Sequence, residues 1–70
     1  MRFYVIMDLI TGQPVFNVFA GDGKEALLGY IELRNLHADY ILSEEQGIWT
    51  MTNQYGSRYA AVLSVPDGIV

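Results

Sequence analysis

The chain of 70 residues holds one histidine, His37, and the residue two positions on is Asp39. In an extended segment, side chains two apart share a face, so this carboxylate is placed to orient the imidazole as acid–base chemistry requires. Such a pair still needs a nucleophile. No serine stands in a G-x-S-x-G elbow and there is no cysteine, so no activated nucleophile is signalled. The competing role of His37 is electrostatic, because it follows a candidate helix whose C-terminal end attracts positive charge. That role is favoured, since a lone histidine meets none of the geometric conditions of an active site.

Phosphate and metal chemistry are signalled no better. Gly21-Asp22-Gly23-Lys24 looks like the end of a phosphate loop, but Val18 stands where the earlier glycine belongs and Glu25 where Ser or Thr belongs. Asp22 and Glu25 also put negative charge where the phosphate would sit. Glu44-Glu45 is an adjacent carboxylate pair, yet neighbouring residues of a strand or turn point apart. Neither a D-x-D-x-D-G loop nor an H-x-x-x-H pair occurs. The expectation is a non-enzymatic protein with no catalytic residue, no metal and no cofactor.

Recognition chemistry is the better-populated class. Trp, Tyr and Arg dominate the energetic centres of protein interfaces. Trp49 shares a strand face with Met51 and belongs either to the core or to a hydrophobic contact face, the core being the commoner place. Tyr55 lies between Gln54 and Gly56, a poor setting for burial, with Arg58 close by. Glu44, Glu45, Tyr55 and Arg58 are therefore the candidate partner-binding residues, and the partner they suit is a protein with a basic surface.

The elements that must position these residues follow from periodicity. Phe3 to Ile10 alternates with one wholly apolar parity (Phe3, Val5, Met7, Leu9) and reads as a strand. Thr11-Gly12-Gln13-Pro14 is a turn, and Val15 to Ala20 returns as a second strand. Asp22 caps a helix predicted over 23–34, with Glu25 three residues on completing a capping box. Ala26, Leu27, Tyr30 and Ile31 form its apolar stripe, while Leu28 and Glu32 fall outside it. Asn35 and Leu36 suit a left-handed helix ending. Three further strands are expected at 39–43, 48–53 and 58–65, joined by a Glu44-Glu45-Gln46-Gly47 turn and a loop over 53–57, each with a glycine suited to a bulged hairpin. Pro66-Asp67-Gly68 ends the last of them.

This is an α+β domain, ββαβββ, spanning 1–70: an antiparallel sheet with one helix packed on one face. A single helix leaves the other face of a five-stranded sheet uncovered. Tyr4, Ile6, Ile10, Val15 and Phe19 are expected there, a set more apolar than a solvated face needs. Either Tyr4, Ile6 and Phe19 belong to a self-association face, which admits a homodimer, or the sheet coils and hides part of it.

Composition narrows the classes further. With 51% hydrophobic residues the chain is globular, and packing alone must hold it, since no disulfide is available. Its formal net charge is −4, and the four basic residues (Arg2, Lys24, Arg34, Arg58) are scattered. Direct nucleic-acid binding calls for clustered ones. The apolar run from Phe3 is stopped at Asp8, which excludes a spanning helix or a signal-peptide core there. A cytoplasmic protein is the expectation.

In its self-contained length, its Asp-x-x-Glu capped helix between a hairpin and a meander, and its lack of catalytic machinery, the chain resembles small acidic proteins of phages and mobile elements. Anti-CRISPR and other anti-defence proteins are among them. The resemblance implies an inhibitor that acts in the host cytoplasm by binding the basic surface of a nucleic-acid-handling complex. One Glu-Glu pair is a sparser acidic array than imitation of DNA would use. The alternative function is a homo-oligomeric structural or accessory module that associates through the apolar sheet face.

Overall fold

A computed structural model describes residues 1–34 and 39–64. The chain runs β1 (Arg2–Asp8), β2 (Gln13–Ala20), α1 (Gly23–Leu33), β3 (Tyr40–Glu45), β4 (Ile48–Asn53) and β5 (Arg58–Leu63). The five strands form one antiparallel sheet in the order β2-β1-β5-β4-β3. The fold is α+β, as the pattern predicts. Asn35, Leu36 and His37, together with Val65 and the Pro66-Asp67-Gly68 stop, lie outside the described residues.

β1 ends sooner than its apolar run suggests, because Asp8 turns the chain. Its Oδ1 accepts from the Ile10 and Thr11 amides at 2.8 and 3.2 Å, and its carbonyl accepts from Gly12 at 2.8 Å. An aspartate that binds amides two and three residues on offers the backbone a turn in place of the ladder. Leu9 and Ile10 consequently stand in the turn. In β2 the register with β1 shifts between Ile6 and Met7, leaving Val15 as a bulge.

The helix start follows the capping logic with one change of partner. Asp22, in extended conformation, accepts from the Glu25 amide at 2.8 Å. Glu25 reaches back past the cap residue and accepts from the Gly21 amide at 3.0 Å. Ala26, Leu27, Tyr30 and Ile31 are all buried, and Leu28 and Glu32 are exposed. Gly23 lets this end of the helix come down on β4: a Cβ there would stand 3.2 Å from Trp49 Cδ1.

The core lies between α1 and the face of the sheet carrying Tyr4, Ile6, Ala20, Met51 and Ala61, with Phe16, Val18, Leu42, Trp49 and Tyr59 around it. Complete burial of Ile6, Leu27 and Met51 contributes about 2 kcal/mol each. Tyr30 sits among aromatic rings, 5.6 Å from Phe16 and 5.2 Å from Tyr59 between centroids. Burial, and then the neighbouring Tyr59, push its phenol above the ordinary value of 10.0.

The face assignment of β1 is the main correction. Tyr4 and Ile6 do not lie on the uncovered face; they are core residues beneath the helix, and Ile6 is fully buried. The parity Phe3, Val5 and Met7 faces away from the helix instead. The ladder gives the reason: Tyr4 pairs with Val18 and Ile6 with Phe16, whereas Val5 pairs with the polar Asn17. Paired residues share a face, so Asn17 carries the odd parity of β1 outward with it.

Candidate interaction surface

Three features meet solvent without a covering element among the described residues: the helix-free sheet face, the free edge of β3, and the loops of the meander. On the helix-free face Phe3 and Phe19 are paired across the strands with ring centroids 4.7 Å apart. Val5 lies opposite Val62, and Met7 opposite Ala60. This face is only partly open to solvent. Its middle is closed by its own side chains, Ala60 being only 4% exposed, while Phe19 at its border is 64% exposed. Of Tyr4, Ile6 and Phe19, the candidate self-association residues, Phe19 alone has this position.

The meander places the acidic pair differently from the expected turn. Glu44 and Glu45 are the last two residues of β3, and the connection to β4 is the two-residue turn Gln46-Gly47, with φ of 53° and 81°. Two consecutive left-handed residues make the primed hairpin turn that suits the twist of antiparallel strands, so no bulge is needed. Glu44 lies across from Trp49 and Glu45 across from Ile48, on opposite faces, and neither faces a basic residue across the ladder. Both are exposed. Lys24 is already engaged: its Nζ stands 5.7 Å from the centre of the Trp49 ring, a cation–π arrangement. Trp49 itself is half-buried against the core.

The other connection is held by a residue that sequence reasoning passed over. Asn53 Oδ1 accepts from the Tyr55 and Ser57 amides, each at 3.0 Å, and the Gly56 amide donates to the Asn53 carbonyl at 3.1 Å. The loop is thereby fixed, and Tyr55 projects from it 76% exposed. Arg58 opens β5 opposite Thr52 and is exposed at the same end. The structure therefore brings Tyr55 and Arg58 to one end of the meander and sets Glu44 and Glu45 at the other. The length of β4, roughly 17 Å at about 3.3 Å per residue, separates them.

No match is found among protein-family models, curated proteins or solved structures. The surface must be read from its own chemistry. Among the described residues no group of three or more His, Cys, Asp or Glu is arranged to hold a metal ion, and no buried side-chain polar atom lacks a partner. No helix of the described residues is long and apolar enough to cross a membrane.

Two further exposed residues were missed in the sequence. Ile41 is 74% exposed on the helix-free face, and Tyr40 is exposed beside it. Short alternation in β3 gives no means of telling which parity is covered, since the helix packs on β1, β2, β4 and β5.

Proposed function

We propose that this chain is a non-enzymatic protein-interaction module that inhibits a larger nucleic-acid-handling complex by occupying a basic protein surface. The observation that carries the reading is the acidic end of the meander. Glu44 and Glu45 are exposed, diverge to both faces of β3, and have apolar residues, not bases, across the ladder. Unpaired charge at an exposed rim steers a partner of opposite sign and accelerates association more than it deepens the complex. The resemblance to small acidic anti-defence proteins supplies the class of target, a CRISPR or other defence complex in a host cytoplasm. Tyr55 and Arg58 form a second contact at the far end of the meander, engaged by a partner that wraps the β3 edge.

Affinity capture with the Glu44→Lys/Glu45→Lys variant tests this reading. The wild-type chain is expected to retain a partner whose binding to a labelled duplex falls when the chain is added. Charge reversal lowers the association rate about tenfold, and added salt narrows the gap. Equal association by both proteins overturns the acidic contact.

A second reading is favoured by the Phe3–Phe19 pair on the uncovered face. An exposed Phe19, packed on the half-buried Phe3 and continuous with Val5, Met7 and Val62, suits association with another copy, the homo-oligomeric module. Sedimentation separates the two readings, with a stable dimer and no captured partner favouring this one.

A further inference from the structure

The two edges of the sheet are not alike. β2 carries Pro14, which has no amide to donate, and the bulge at Val15 that follows it; both features discourage another strand from pairing there. β3 has neither. Its register with β4 is unbroken from Tyr40↔Asn53 to Glu45↔Ile48. The Asp39 carbonyl accepts from the Gln54 amide at 3.1 Å, which fixes the alternation of the ladder. Ile41, Ser43 and Glu45 therefore bond inward to β4, while Tyr40, Leu42 and Glu44 turn their N–H and C=O groups outward. No described strand meets them. Among the described residues β3 also has little cover on its faces, only Leu42 being half-buried against the core.

Two shallow clefts lie over the β3–β4 pair, one at each end. One of about 210 Å³ is bordered by Tyr40, Ile41 and Thr52, and one of about 280 Å³ by Glu45, Ile48 and Thr50. Ile41 and Glu45 are four residues apart on one face, roughly 13 Å along a strand. An added strand has the same spacing, so its own residues four apart fall beside both clefts.

The charges select the occupant. In the fullest antiparallel overlap of β3 with its own copy, Leu42 against Leu42, Asp39 would face Glu45 and the pairing would set like charges opposite each other. Asp39, Glu44 and Glu45 instead attract a strand bearing Lys or Arg. We infer that the outer edge of β3 is a strand-addition site for an extended basic segment of a protein partner, with an apolar side chain beside Ile41 and a Lys or Arg four residues away beside Glu45. Main-chain bonds to Tyr40, Leu42 and Glu44 supply affinity, and the clefts supply selectivity. This rests on the basic-partner reading above and names its mode of contact.

The probe is the peptide Lys-Thr-Val-Thr-Val-Thr-Lys, which presents the apolar–basic spacing in either chain direction; its control carries Glu in place of Lys. Amide hydrogen exchange of the full chain is followed by NMR. With saturating Lys peptide, exchange at Tyr40, Leu42 and Glu44 slows at least about tenfold, while Ile41 and Ser43, already bonded to β4, change little. The Glu peptide has no effect. Glu44→Gln/Glu45→Gln, checked for folding by circular dichroism, binds the Lys peptide about fivefold more weakly and with less dependence on salt. Equal protection by both peptides, protection at Asn17 and Phe19 instead, or none at all overturns the inference. If a captured partner still depends on Glu44 and Glu45 after that result, the interaction-module reading stands and only the strand-addition mode fails.

Discussion

Tyr30 brings a hydroxyl into the core between Phe16 and Tyr59, and that hydroxyl makes the fold sensitive to alkali. Burial, followed by Tyr59, raises its folded pKa above 10.0. In the unfolded chain the phenol ionises first as pH passes about 10, so the proton-bound folded state loses its advantage there. The contribution is fully present below that value and disappears as pH climbs through the folded pKa. The denaturation midpoint should hold level to about pH 9 and fall above pH 10. Tyr30→Phe, with nothing to ionise at that position, should show a shallower fall. Identical alkaline slopes in the two proteins would discard Tyr30 as the source. The phenol thus belongs to the pH limits of stability.

At the scale of elements, what could be read ahead of the structure was local. Asp22 and Glu25 announce α1 because a cap and its partner are three residues apart, and the stripe Ala26, Leu27, Tyr30 and Ile31 is buried as its spacing demands. The faces of β1 were not legible from β1 alone, since its wholly apolar parity, Phe3, Val5 and Met7, is the outward one and the mixed parity supplies the core residues Tyr4 and Ile6. Only the pairing of Val5 with Asn17, a relation between two strands, decides which side meets solvent. The candidate surface divides in the same way. Tyr55 is exposed as an aromatic beside a loop glycine should be, while Glu44 and Glu45 belong to the strand because Gln46-Gly47 turns the chain unaided. That turn gives a direct test. Gln46 holds a φ of 53°, a region that costs an ordinary residue roughly 1–2 kcal/mol and asparagine less. Gln46→Asn should therefore stabilise the domain by about 0.5 kcal/mol, read as a higher denaturation midpoint. A lower midpoint would mean that the glutamine side chain contributes more than its backbone strain costs.

Over the whole molecule, one helix on a five-stranded sheet leaves β3 and the Phe3–Phe19 face outside its cover, and the proposals differ in which of these a partner meets. A net charge of −4 opposes close approach of copies. The chain is accordingly expected to sediment as a monomer at micromolar concentration, with Phe19→Lys leaving the profile unchanged. A dimer that Phe19→Lys dissociates would transfer the functional assignment to the sheet face. The strand order has a different consequence, concerned with synthesis. β1 finds its second neighbour in β5, with Tyr4 opposite Leu63. On the ribosome the first hairpin is complete long before the strand that flanks it has been translated. Through that interval the nascent chain carries one side of β1 as an unfilled hydrogen-bonding rim, and α1 lacks the β4 and β5 surface on which it lands. Pairing of β5 closes that rim and completes the landing surface together, so protection of the chain comes late and almost at once.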